Sequence, residues 1–73
     1  MLYRVSQTIS WQDLNRGKIE LIEAGAWILF GQTDAIIELL VKADSSAEAL
    51  SMARNLDKGF DTIHFVTDIL GAE

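Results

Sequence analysis

Apolar residues crowd the middle of this chain, where Ala26 to Lys42 reads AWILFGQTDAIIELLVK: two apolar runs joined by a short polar break. The pattern predicts a β-hairpin. With Gly31-Gln32-Thr33-Asp34 as the connection and turn formers at both of its ends, Phe30 pairs with Ala35, Ile28 with Ile37 and Ala26 with Leu39. Residues paired across strands share a face. One face therefore carries Ala26, Ile28, Phe30, Ala35, Ile37, Leu39 and Val41, and the other Trp27, Leu29, Ile36, Glu38, Leu40 and Lys42. Both are largely apolar. A sheet with one wet face alternates apolar and polar residues, so this hairpin is expected to be covered, at least partly, on both sides.

The flanking segments are more regular. Leu2 to Ile9 alternates, with Tyr3, Val5 and Ile9 on one side and Arg4, Ser6 and Thr8 on the other, which suits a first strand interrupted in pattern only by Gln7. From Ser10 and Asp13, which resemble a capping box, Trp11, Leu14, Lys18, Leu21 and Ile22 fall on one helical stripe that ends at Gly25. A first helix is predicted over about residues 11–24. A competing pattern exists, because Ile19-Glu20-Leu21-Ile22 nearly repeats Ile37-Glu38-Leu39-Leu40 of the hairpin. Asn15-Arg16-Gly17 would then be a hairpin loop, leaving an N-terminal antiparallel sheet with a single helix at about residues 45–58. The helical reading is preferred because stripe, start and stop agree. Ser45 with Glu48 is a full capping box, and Ala49, Met52, Ala53 and Leu56 make a narrow stripe whose alanines imply close approach to a sheet. Lys58 and Gly59 close that helix. A last strand is predicted from Asp61 to Leu70, with Ile63 and Phe65 facing one way and His64, Val66, Asp68 and Leu70 the other.

Strand, helix, strand, strand, helix, strand is the ferredoxin-like α+β pattern, a four-stranded antiparallel sheet with two helices on one face. The expected core is Val5, Ile9, Trp11, Leu14, Leu21, Ile22, Ile28, Phe30, Ile37, Leu39, Val41, Leu50, Ala53, Leu56, Ile63 and Phe65. Trp27, Leu29, Ile36, Leu40 and Val66 are left on the open face, where they are expected to form an interface. A second copy is the simplest cover, since two-fold homodimers are the commonest oligomers.

Composition narrows the rest. Seventy-three residues suit one domain, and the chain has no cysteine to reinforce it. At 49% apolar residues it is too hydrophobic for a disordered chain. Six basic against eleven acidic residues give a net charge of −5, which opposes binding to nucleic acid and to anionic membranes. No apolar run approaches the roughly 20 residues of a membrane span, and the reading is of a soluble cytoplasmic protein without a signal peptide.

The segment Trp27 to Leu70, with Gly31-Gln32-Thr33-Asp34-Ala35-Ile36-Ile37-Glu38, a capped helix and Thr62-Ile63-His64-Phe65, resembles the second half of dimeric α+β barrel domains such as the effector-binding domain of Lrp/AsnC-type regulators. Those domains commonly carry a Gly-x-x-Asp turn and a last strand entered through a Thr. The resemblance implies dimerisation through the sheets and binding of a small effector such as an amino acid. The helix-turn-helix of full-length regulators is not found in this chain.

Catalytic motifs are missing: the sequence holds no P-loop, Rossmann glycine pattern, HExxH or Gly-x-Ser-x-Gly elbow, and no cofactor or metal set is indicated. His64 is the only side chain that titrates near neutrality unaided. It shares a strand face with Asp68, but four residues along a strand separate them by roughly 13 Å. Asp34, Glu38 and His64 are the candidate ligand residues, although Asp34 is more simply explained as a turn former and His64 by default as an ordinary sheet-surface or interface residue. Trp27 is either core or an interface anchor. Three function classes follow: a small homodimeric binding or oligomerisation module, an acidic interaction or inhibitor protein of the phage or accessory type that docks on a larger partner, and a minimal barrel enzyme using His64. The non-enzymatic module ranks first.

Overall fold

The computed structural model describes residues 1–66. It is an α+β fold in which four strands, β1 (Leu2–Ser10), β2 (Trp27–Phe30), β3 (Asp34–Lys42) and β4 (Thr62–Phe65), form one open sheet in the order β2-β3-β1-β4, with every neighbouring pair antiparallel. Two helices, α1 (Arg16–Ile19) and α2 (Ser46–Leu56), occupy the connections between β1 and β2 and between β3 and β4. The part of the predicted last strand beyond Val66, including Asp68 and Leu70, lies outside the described residues. Among the described residues no helix is long and apolar enough to cross a membrane.

The hairpin has the register that its turn demands: Phe30 faces Ala35, Leu29 faces Ile36, Ile28 faces Ile37 and Trp27 faces Glu38. The Gly31 N–H closes the turn on the Asp34 carbonyl at 2.8 Å. On the covered face, Val5, Ala35 and Ile37 are fully buried, and Tyr3, Leu39 and Val41 nearly so. α2 lies against them. Ala49 and Ala53, both wholly buried, allow it to approach the sheet closely, and Phe60 fills the space at its C-terminal end. Its start is the capping box: Ser45 accepts the Glu48 N–H, and the Glu48 carboxylate reaches back to the Asp44 N–H.

The first crossover departs from a continuous helix over residues 11–24. It consists of a 3₁₀ turn at Trp11–Asp13, the single α-turn of α1 and a second 3₁₀ turn at Glu20–Ala24. The break comes at Asn15, whose backbone is extended and whose side chain accepts the Lys18 N–H at 3.1 Å, so that the cap sits here and not at Ser10. Asparagine competes with a helix by bonding its own backbone neighbourhood, and Gly17 adds a backbone that is costly to order. The predicted stop is present, with Gly25 at φ 104° in the left-handed region. The alternative strand pairing of residues 18–22 is not adopted, because these residues are helical.

An interrupted crossover covers less sheet than a helix would. Of the expected core, Leu21 is buried, Leu14 half-buried, and Trp11, Ile22, Phe30, Leu56 and Phe65 are each half exposed or more. Trp11 instead braces the hairpin turn: its indole N–H donates to the Asp34 carbonyl at 2.8 Å, its backbone N–H to Thr33, and Phe30 stands edge-on to its ring. Tyr3, Ala26, Ala35, Ala43, Ala49 and Phe60 are buried although the expected core did not include them. α2 also stops earlier than Lys58 and Gly59 imply, at Leu56.

Gln7 explains what replaces the missing apolar cover. Facing inward on β1 at only 2% exposure, its amide N–H donates to Asp57 at 2.8 Å and its amide oxygen accepts the Lys18 ammonium at 2.8 Å. Lys18 closes the triangle with an ion pair to Asp57 at 2.6 Å. The Gly59 N–H adds a further bond to the same carboxylate. No backbone strain asks for glycine at 59, where φ is not positive. Crowding does, since a Cβ there would stand on the Gln7 amide oxygen, the Lys18 ammonium and the Asp57 carboxylate at once.

Burial by itself would push the Asp57 carboxyl up. The hydrogen bonds from Lys18, Gln7 and the Gly59 N–H, with the charge of Lys18, outweigh it and hold the carboxyl below its ordinary value. A carboxyl depressed in the folded state contributes stability that is present above the unfolded pKa of about 4 and is lost as pH falls through the lower, folded pKa. Urea unfolding of the wild type is therefore expected to weaken below about pH 4, and the Asp57→Asn variant, less stable at pH 7, is expected to lose less over the same interval. Gly59→Ala is expected to cost about 1–3 kcal/mol by forcing the three polar groups apart, measured as a lower urea midpoint at an unchanged slope.

Candidate functional site: the open face of the sheet

Alternation along β3 sends Asp34, Ile36, Glu38, Leu40 and Lys42 to the face opposite the helices, and none of the described elements packs over it. The strand pairings set these side chains in rows. Asp34 lies beside Ser10; Leu29, Ile36 and Thr8 form the next row; Trp27, Glu38, Ser6 and Thr62 the central one; Leu40, Arg4 and His64 another; and Lys42 ends beside Leu2. Leu29 is 50% and Leu40 40% exposed, while Trp27, Ile36 and Val66 are half-buried. All five residues expected at an interface thus lie on or beside this face, Val66 following directly on β4 with its N–H bonded to the Leu2 carbonyl.

Polar chemistry is concentrated in the middle. The Trp27 indole N–H donates to Glu38 at 2.8 Å, and the other oxygen of that carboxylate faces the Arg4 guanidinium at 3.7 Å. The Glu38 side chain is only 15% exposed although nothing overlies it, because Trp27 and Arg4 lean over it from either side. The carboxylate accepts one hydrogen bond, from Trp27, and its charge is partly offset by Arg4.

The three candidate ligand residues share this face but do not meet. Asp34 and Glu38 are separated by four residues of β3, roughly 13 Å, and His64 stands exposed beside Arg4, two strands away from β3 at roughly 10 Å. Among the described residues no group of three His, Asp or Glu side chains stands close enough to hold a metal ion. The Asp34 backbone carbonyl serves the turn, accepting both Gly31 and Trp11. Its side chain borders a shallow depression of about 700 Å³ walled by Trp11, Gln12 and Gln32. A second, more apolar groove of about 410 Å³ runs on the helical side between Ala24 and α2, floored by Leu39 and Val41 and edged by Met52 and Leu56.

Arg4, Gln7, Lys18 and Asp57 are polar residues whose contacts pattern reading did not assign. Gln7 was detectable, since a polar residue at an inward position of an alternating strand must find a buried partner. Arg4 was not, because its link to Glu38 depends on which strand lies beside β1. The chain matches no protein-family model, no curated protein and no solved structure.

Replacing Glu38 by Ala removes the acceptor of Trp27. In a Trp11→Phe background, where Trp27 is the single tryptophan and is excited selectively over Tyr3, Glu38→Ala is expected to red-shift the emission and to cost about 1–2 kcal/mol in urea unfolding. Arg4→Ala is expected to cost less than about 1 kcal/mol, because its ion pair is long and half exposed.

Proposed function

We propose that this chain is a small non-enzymatic oligomerisation module of ferredoxin-like organisation, a homodimer whose two copies cover each other's open sheet face. The observation that carries the reading is the open face itself, where Trp27, Leu29, Ile36, Leu40 and Val66 lie on or beside a surface whose central Glu38 carboxylate accepts the Trp27 indole N–H and faces the Arg4 guanidinium. These two partners lower the cost of drying that carboxylate, which is the usual obstacle to burying a sheet face that bears one. The strand order, read from the other edge as β4-β1-β3-β2, supports the ferredoxin-like part of the proposal, because each helical connection joins two parallel strands across an antiparallel one. The resemblance of residues 27–70 to dimeric α+β barrel domains points the same way. A small effector, if the module senses one, would enter the depression beside Asp34.

Size sets the expected strength. Two nine-residue and two four-residue strands outline roughly 400 Å² in projection. Side-chain relief brings the accessible area toward the lower end of standard interfaces, about 600 Å² per partner. That corresponds to a reversible dimer with a dissociation constant in roughly the micromolar range.

A second reading is carried by the groove beside α2. Met52 and Leu56 are each about half exposed along its edge, and an apolar groove of this kind accepts the apolar face of a partner helix. This is the form that an accessory or inhibitor protein acting on a larger partner would take.

Light scattering coupled to size exclusion separates the two. The expected result is a mass that moves from monomer to dimer across the micromolar range and is returned to monomer by Leu29→Glu, on the open face and away from the groove, but not by Met52→Asp. A monomer at every concentration would overturn the homodimer, and loss of the dimer in Met52→Asp alone would transfer the interface to the groove.

A further inference from the structure

We infer that the two copies meet with their β3 strands antiparallel, about a two-fold axis that lies in the interface plane and crosses β3 at Glu38. This rests on the proposal that a second copy covers the open face, and it adds how that copy is oriented. The observation is the distribution of charge. Toward the hairpin turn the face carries Asp34; its centre carries Glu38, paired with Arg4; and toward the opposite end it carries Lys42, next to the row of Arg4 and His64. Asp34 and Lys42 thus stand at opposite ends of the face.

Two copies of one face can be stacked with a two-fold axis along the strands or across them. An axis along the strands keeps like ends together, so that both Asp34 carboxylates gather at one end and both Lys42 ammoniums at the other. An axis across the strands exchanges the ends. Because β3 presents Asp34, Ile36, Glu38, Leu40 and Lys42 at equal steps on this face, centring the axis at Glu38 sets Asp34 of one copy over Lys42 of its partner and Ile36 over Leu40. Each contact then occurs twice, as an isologous interface requires. Sheets stacked about 10 Å apart leave a distance that a lysine and an aspartate span together. The like pair on the axis, Glu38 over Glu38, is relieved by two arginines, since each carboxylate keeps its own Arg4 and gains the other copy's Arg4 on the diagonal. Aligned sheets cross at about 30°, which keeps the register at Glu38 and sets Asp34 and the other copy's Lys42, roughly 13 Å from the axis, about 6–7 Å apart sideways, so that they attract across the interface without a direct ion pair.

The proposal makes Asp34 and Lys42, both exposed and eight residues apart on β3, the determinants of orientation. Asp34→Lys alone sets lysine against lysine across the interface, and Lys42→Asp alone sets aspartate against aspartate. Each homodimer is expected to weaken about tenfold at low salt. A 1:1 mixture of the two variant chains restores both pairings and is expected to dimerise at least as tightly as the wild type, with a difference that shrinks in 0.5 M salt. Circular dichroism of each variant checks that the fold is kept, and the charge swap in one chain, Asp34→Lys with Lys42→Asp, provides a second variant whose homodimer is expected to recover. Single variants whose homodimers are as tight as the wild type, which is what stacking of like ends gives, a mixture that behaves as the average of its components, or a swap that does not recover, would overturn the orientation while leaving the homodimer intact. A wild type that stays monomeric would overturn both.

Discussion

Three segments that are far apart in the chain are tied at one point by the contacts of Gln7, Lys18 and Asp57. The strand that centres the sheet, the short first helix and the end of the second helix all pass through this triangle. Each member satisfies the others. The amide of Gln7 uses both its donor and its acceptor, the ammonium finds two oxygens, and the carboxylate takes a third bond from the Gly59 N–H. Lys18 also stands at the C-terminal end of α2, where a cation is favoured by the helix dipole. A buried polar triangle adds less than an apolar cluster of the same size, but breaking one corner leaves two unpaired groups inside. Its value is positional: it fixes where a crossover with only one α-turn lies on the sheet.

That substitution of a polar tie for a packed helix has consequences across the molecule. The first crossover contributes Leu21 to the core and little else, so Ile19 and Ile22 remain half exposed and the space between this segment and α2 stays open as a groove. The close approach of Ala49 and Ala53 then carries most of the helical packing. On the other side of the sheet the same economy leaves Leu29 and Leu40 wet. A chain of 73 residues has little apolar material to spare, and here it is divided between two faces of one sheet.

How much of this was legible depended on whether the determinant was local. The hairpin register follows from two turn formers and a period of two, and Phe30–Ala35 and Ile28–Ile37 pair as that reasoning sets them, while Ala26 precedes β2 and its expected pairing with Leu39 is not part of the ladder. The capping box of α2 and the left-handed Gly25 were equally plain, because a side chain and a single φ decide them. The first helix was misread because an apolar stripe at helical spacing says nothing about continuity, and one Asn15 side chain bonding its own turn was enough to divide it. Phe60 escaped for the opposite reason: a loop residue has no period, yet it is wholly buried. For the candidate site, the membership of the open face was readable from alternation alone. Its central Arg4–Glu38 link was not, since the adjacency of β1 to β3 is a property of topology and not of either strand.

An uncovered apolar face on a domain with so modest a core couples association to folding. A second copy that binds only the folded form adds stability in proportion to the logarithm of its concentration above the dissociation constant. The charge pattern of the face matters in this light. Hydrophobic contact alone has no direction and would permit several stackings of similar energy. Placing Asp34 at one end of the face and Lys42 at the other separates those stackings, because an arrangement that brings like ends together sets like charges against each other at both ends. The aromatic anchor at Trp27 and the flanking leucines would then supply the strength of the contact, and the two ends of β3 its single orientation.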